Sequence, residues 1–173
     1  IKVGHVTKKF GGETVLEDIC LRFRKGAIYG FVGRNGSGKT VLFKAIAGFI
    51  RPTSGRVLVE EREIGKDVDF AENIGIIIEN PGFLGGYSGY RNLEYLAGIR
   101  KKIGKKEIME SMKRVGLDPQ NPKKVRKYSL GMRQRLGIAQ AIMENPTTLI
   151  LDEPFNGLDK DGVRDIHGLL QQQ

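Results

Sequence analysis

Apolar and polar residues alternate over residues 1–10 and again over 14–23, where Val15, Leu16, Ile19, Leu21 and Phe23 carry the pattern. A period near two predicts strands, and Gly11-Gly12 between them predicts a hairpin. Residues 27–32 form a compact apolar run ending at Gly33 and predict another strand. From Ser37 to Gly48 the spacing becomes helical, with Val41, Leu42, Ala45, Ile46 and Phe49 expected on the inner side. Arg51-Pro52-Thr53-Ser54-Gly55 is turn chemistry. Residues 56–60 read as a short strand and 74–79 as a buried one, stopped by Asn80-Pro81-Gly82.

Beyond Tyr87 the pattern turns helical. Leu93, Leu96, Ala97 and Ile99 are expected on one face, Ile108, Met112 and Val115 on another, with Gly116 and Pro119 closing the second helix. Ser129 is placed to cap a helix running to about residue 144, where Asn145-Pro146 stops it. Residues 148–151 predict a strand ending in Asp152-Glu153, and 161–170 a further helix. Strands alternating with helices predict an α/β fold with a helical insertion near 82–127.

The composition supports one domain with a packed core: 173 residues, 39% hydrophobic and 28% charged. No stretch approaches the roughly 20 apolar residues that a membrane-spanning helix needs, and no secretory leader is visible. Cys20 is the lone cysteine. It excludes an internal disulfide and is expected as a small core residue in a reducing compartment. The chain opens on Ile1 and closes on Gln171-Gln172-Gln173 inside a helical pattern, as a piece of a longer polypeptide would. Net charge is +9, and residues 100–127 hold eleven Lys/Arg against three Asp/Glu. That cluster reads as a solvated helical face, or as a surface for anionic lipid or nucleic acid.

Gly33-Arg34-Asn35-Gly36-Ser37-Gly38-Lys39-Thr40 carries the most specific chemistry. It has the form G-x-x-x-x-G-K-[ST], between an apolar run and a helical pattern. Glycines let the backbone wrap a phosphate closely, and successive N–H groups make an anion nest at a helix N-terminus. Lys39 can reach the β- and γ-phosphates, and Thr40 can offer its hydroxyl to Mg²⁺. Asp152 and Glu153 end an apolar strand, at the end where α/β sheets bind ligands. Asp152 suits Mg²⁺, and Glu153 suits orienting and deprotonating a water. Together these motifs describe a P-loop nucleotide triphosphatase binding a nucleotide with Mg²⁺. They leave open whether it is a GTPase, a recombinase or a transporter ATPase.

Tyr128-Ser129-Leu130-Gly131-Met132-Arg133-Gln134-Arg135-Leu136 resembles the signature segment of ABC ATPases, usually L-S-G-G-Q. Ser129 and Gly131 match, while Tyr128, Leu130 and Met132 depart. Taken alone, the segment reads more readily as a plain capped helix. The resemblance covers essentially the whole chain and implies a nucleotide-binding subunit of an ABC transporter. The implied architecture is a RecA-like core with an N-terminal antiparallel β subdomain (residues 1–81, including the phosphate loop). A helical subdomain (82–127) follows, then the signature helix, acidic strand and start of the next helix (128–173), with the C-terminal part missing. Implied ligands are ATP and Mg²⁺. Phe10 resembles the aromatic residue that stacks on adenine, with Val15 lining the same ring. Ser129 and Gly131 would reach a nucleotide held by a partner subunit in a head-to-tail dimer. Asn156-Gly157-Leu158-Asp159 resembles the loop after the acidic strand, with Asp159 touching that partner.

Two departures stand out. The family usually has Gln at the end of the strand over 74–78, where it contacts Mg²⁺ and the attacking water; here it is Glu79. Ile78-Glu79-Asn80-Pro81 with Leu84, and Ser129-Leu130-Gly131-Met132, resemble the bacitracin and lantibiotic export branch. The family's switch histidine lies on a strand beyond the end of this chain, so His167 is not assigned that role and His5 is expected as structural. The resemblance further implies a membrane permease partner, a self or paralogous ATPase partner and a place on the cytoplasmic face of a membrane. A soluble ABC protein acting on ribosomes or nucleic acid is the competing expectation.

Overall fold

The two alternating segments pair as their pattern predicts: β1 (Lys2–Phe10) runs antiparallel to β2 (Glu13–Arg22), joined at Gly11-Gly12. The computed structural model describes residues 1–79 and 81–172, so Asn80 of the expected turn and the terminal Gln173 lie outside the described residues. Two units are distinguished, Ile1–Glu72 and Asn73–Gln173.

In the first unit, α1 (Lys39–Ala47) follows the hairpin, and β3 (Ser54–Val59) and β4 (Arg62–Glu63) complete an antiparallel sheet of order β2-β1-β3-β4. Val3, Val6, Leu16, Val57 and Val59 are buried from the sheet, and Leu42, Phe43, Ala45 and Ile46 from α1. Each large side chain removed from water in this way contributes roughly 1.5–3 kcal/mol. Phe43 thus fills a core position, while Phe49, expected inside, is 53% exposed. It lies past the αL cap at Gly48, where the helical direction is lost, and meets Phe70 edge-on at 6.0 Å.

Residues 27–32 form no strand. An apolar run becomes a strand only when a neighbour takes up its ladder, and the four-stranded sheet of this unit does not include it. Rings hold the segment instead: Phe23 packs on Tyr29 (5.0 Å) and Phe31 (5.7 Å), and Phe31 on Phe43 (5.2 Å). Cys20 is exposed rather than in the core. Its strand lies at the sheet edge, and backbone irregularities described below set its facing.

In the second unit, β5 (Ile74–Ile77) pairs parallel with β6 (Thr148–Leu151). Between them come α2 (Gly89–Arg100), α3 (Lys105–Arg114), a 3₁₀ turn at Val125–Lys127 and α4 (Leu130–Ile142); α5 (Lys160–Leu170) follows β6. Leu93, Ile108, Met112, Val115, Leu136, Ile138 and Ile166 form the fully buried centre. Ile99 is 76% exposed, against expectation. Leu93 and Ala97, one turn apart, define the inner stripe of α2, and a residue two beyond Ala97 points away from it. The unit boundary at Glu72/Asn73 groups β5 with the helices rather than with the phosphate-loop segment. Among the described residues no helix is long and apolar enough to cross a membrane.

Candidate functional site

Residues 33–40 form a bend that closes on its own lysine. Lys39 Nζ donates to Gly33 O (2.7 Å), Arg34 O (3.0 Å) and Ser37 Oγ (3.4 Å). Gly36 and Gly38 hold φ of 81° and 83°, which turns successive peptides in a way other residues resist. Gly38 also leaves no room for a side chain: a Cβ there would lie 2.9 Å from Val15 O and from Leu16 Cδ2. Val15 therefore lies against the bend. Gly33, Arg34, Asn35, Gly36 and Ser37 are exposed, and Lys39 and Thr40 open α1 half-buried. With no acid in the first turn of α1, its N-terminal amides and the Lys39 ammonium give the bend a positive electrostatic character suited to an anion. Phe10 is 46% exposed at the end of β1, and the Lys8 ammonium lies 4.8 Å from its ring centroid.

In the second unit, the register fixes the acidic residues. Ile77 pairs with Leu151, and Asp152 N donates to Ile77 O at 2.7 Å. Glu79 and Glu153 therefore each stand two residues beyond the last paired position of neighbouring parallel strands, at the carboxyl end of both. Both also adopt left-handed backbone, with φ of 60° and 48°. That conformation is unfavourable for a glutamate and concentrates at functional sites. The sequence carried no sign of it. Gln134, buried in α4, donates from Nε2 to Glu153 O at 3.2 Å and braces that backbone. Its place in the signature segment was legible, but not this contact.

Ser129 caps α4, its hydroxyl accepting from Met132 N at 3.2 Å. Asp159 caps α5, accepting from Gly162 N at 2.8 Å. The two capped helix starts lie side by side, because Gly131 lets α4 approach the 156–159 loop: a Cβ there would meet Gly157 O at 2.8 Å. Ser129, Gly131, Gly157 and Asp159 line one recess, with Arg135 at its wall. Arg135 donates to Val115 O at 2.7 Å and lies 3.6 Å from Asp165, tying α4 to the end of α3 and to α5. Tyr128, just before the cap, is buried, which pushes its phenol above the ordinary range against a backbone hydrogen bond from Gly89. His167 lies in the last turn of α5, as its helical pattern predicts. The site residues thus divide between the units: Phe10, Val15 and 33–40 in the first; Glu79, Ser129, Gly131, Asp152, Glu153 and Asp159 in the second.

A lysine-closed phosphate loop before a helix, acids at the carboxyl ends of parallel strands and a capped Ser-x-Gly helix start define an ATP-binding cassette. The family model described as ABC transporter matches residues 16–156, and the chain belongs to that family. It is similar to an uncharacterised ABC transporter ATP-binding protein of Bacillus subtilis, YybJ, at 46% identity over all of this chain and 79% of that protein. It is 42% identical to the bacitracin transport ATP-binding protein BcrA of Enterococcus faecalis, over 99% of this chain and 56% of that one. The chain thus spans little more than half the length of that second relative. A bacterial ABC transporter cassette solved as a dimer matches with a TM-score of 0.85 at 26% identity, covering 98% of this chain and 80% of that one.

Proposed function

We propose that this chain binds ATP with Mg²⁺ and hydrolyses it as the motor subunit of an exporter for an antimicrobial peptide or drug, working with a separate membrane permease at the cytoplasmic face of the membrane. The observation that carries the reading is the bend at 33–40, whose glycine geometry and inward-folded lysine fit a polyphosphate. Likeness to a bacitracin transport protein supports the substrate class. In this reading Lys39 exchanges its loop carbonyls for β- and γ-phosphate oxygens, and the bend's amides hold the rest. Thr40, Asp152 and Glu79 would be the oxygen ligands for Mg²⁺, which would supply charge neutralisation on the phosphates. Glu153 orients the attacking water and takes its proton. Phe10 stacks on adenine and Val15 lines the ring. Ser129, Gly131 and Asp159 of a second copy or paralogue act on the same nucleotide, so ATP closes a head-to-tail dimer. Glu79 in place of a neutral amide adds negative charge beside the phosphates and slows turnover.

The test is the oligomeric state of the complete protein with ATP, read by light scattering. Glu153→Gln blocks proton removal and is expected to accumulate an ATP-bound dimer, while Lys39→Ala stays monomeric and loses ATP affinity. A Glu153→Gln protein that remains monomeric at saturating ATP, or a Lys39→Ala protein with wild-type affinity, refutes the reading.

The exposed cluster Lys123, Lys124, Arg126 and Lys127 favours a second reading, an ABC protein acting on RNA or the ribosome. Retention on vesicles of anionic lipid supports the exporter. RNA binding that weakens steeply with salt supports the alternative.

A further inference from the structure

A second chemical cluster lies on the β1–β2 hairpin, among residues the nucleotide chemistry does not use. Its origin is in the register. Val3 faces Leu21 and Val6 faces Ile19, so Gly4 and His5 together oppose the single residue Cys20. Val6 faces Ile19 and Lys8 faces Leu16, so Glu17 and Asp18 together oppose Thr7. Two bulges of opposite sense thus follow each other, one on each strand, and offset one another; a third irregularity, at Val15 between the pairs Lys8–Leu16 and Lys9–Thr14, shifts the register again nearer the turn. Each places a non-glycine residue in left-handed backbone: His5 at φ 53° and Asp18 at φ 47°. Bulges re-aim side chains, and these two bring His5 and Asp18 together, with His5 Nδ1 2.7 Å from Asp18 Oδ1. Cys20 joins them, its sulfur accepting from the backbone N–H of His5 at 3.2 Å. One ligand atom from each residue lies within 4.8 Å of the other two, and all three residues are exposed.

We propose that His5, Asp18 and Cys20 form a binding site for a zinc ion on this hairpin. One imidazole nitrogen, one carboxylate oxygen and one thiolate are three ligands of the types Zn²⁺ takes, at distances of about 2.0–2.3 Å, with water as the fourth. Ligand atoms already this close need only small rotations of exposed side chains to surround one ion. The mixed donor set excludes Mg²⁺ and Ca²⁺, which take oxygen, so the site is chemically distinct from the one at the nucleotide. The outer contacts are also in place. The N–H of His5 donates to Cys20 Sγ and would steady a zinc-bound sulfur there, and Asp18 N donates to Thr7 Oγ1 at 3.1 Å, holding the bulge. The ion would pin two irregular strands to one another at the sheet edge, where β2 has no outer neighbour among the described residues.

Cobalt(II) is the probe, titrated into reduced, metal-free protein and followed by absorption. The expected result is one Co²⁺ per chain, with a thiolate-to-cobalt charge-transfer band and strong visible bands of a four-coordinate centre, both bleached by one equivalent of Zn²⁺. Cys20→Ser removes the charge-transfer band. His5→Ala and Asp18→Asn weaken binding on the order of tenfold or more. Lys39→Ala leaves the titration unchanged, which separates this site from nucleotide binding. Wild-type protein that gives only weak bands of six-coordinate cobalt, or a titration that Cys20→Ser does not alter, overturns the proposal. Because the wild-type result alone can refute it, the folding of the variants does not protect it.

Discussion

Gly75 gives a prediction whose sign and size follow from geometry. It sits in β5 opposite Leu149, where the strand lies directly against α4. A methyl group added there would fall inside contact distance of the Ala141 carbonyl oxygen. It would also lie 2.8 Å from Ala141 C and 2.7 Å from Leu149 Cδ2. Two of these atoms are helix backbone, which cannot rotate away, so strand and helix must part. Overpacking of this kind costs about 1–3 kcal/mol, and rigid backbone places it at the upper end. Alanine returns up to about 1 kcal/mol by restricting the unfolded chain, since Gly75 does not hold a positive φ. The net expectation for Gly75→Ala is a loss of about 2 kcal/mol, or a fall in Tm of about 4–8 °C for a chain of this length. Gly98→Ala is the matched control. It lies in the exposed outer face of α2 with nothing within 4 Å of the added carbon, so it should gain about 0.5–1 kcal/mol from helix propensity. Thermal and urea unfolding followed by circular dichroism measures both. Gly75→Ala at or above wild-type stability refutes backbone-to-backbone packing of β5 on α4.

Further outcomes follow from the caps and the buried phenol. Ser129→Ala removes the acceptor of Met132 N and should cost about 1 kcal/mol, whereas Ser129→Asn should restore most of it; equal melting of the two variants contradicts the capping role. Tyr128 has its pKa raised by burial, so the fold favours the neutral phenol. That contribution is complete below the unfolded value of about 10 and is lost as pH rises through the folded value. Tyr128→Phe should therefore flatten the alkaline limb of stability in urea melts above about pH 10, leaving the part due to Tyr90, whose pKa burial raises, and Tyr95, whose pKa a hydrogen bond with Tyr87 raises. An unaltered limb rules the assignment out.

What the sequence made legible was local. The alternation in β1 and β2, the phosphate-loop glycines and the serine cap at 129 each depend on neighbours a few residues away, so residue type and spacing sufficed. The family resemblance added the order of the motifs, and the family match agrees. Errors arose where a nonlocal partner decides, or where a helix's inner stripe or end was misplaced. Residues 27–32 have a strand's composition but lie outside the unit's ladder. Ile99 and Phe49 are apolar yet fall off their helices' inner stripes, one by angle and one by a glycine cap.

By itself, then, the amino-acid order determined the glycine pattern of the candidate anion loop, most of the segments that become helices or strands, and which family the chain resembles. Tertiary structure decided which side chains share a point in space. Parallel pairing of Ile77 with Leu151 put Glu79 and Glu153 at equivalent strand ends in left-handed backbone. Opposed bulges drew His5, Asp18 and Cys20 together from two strands. The physical reason is the same in both cases. Register is set by hydrogen bonds between segments distant in the chain, and a shift of one residue turns every following side chain to the other face.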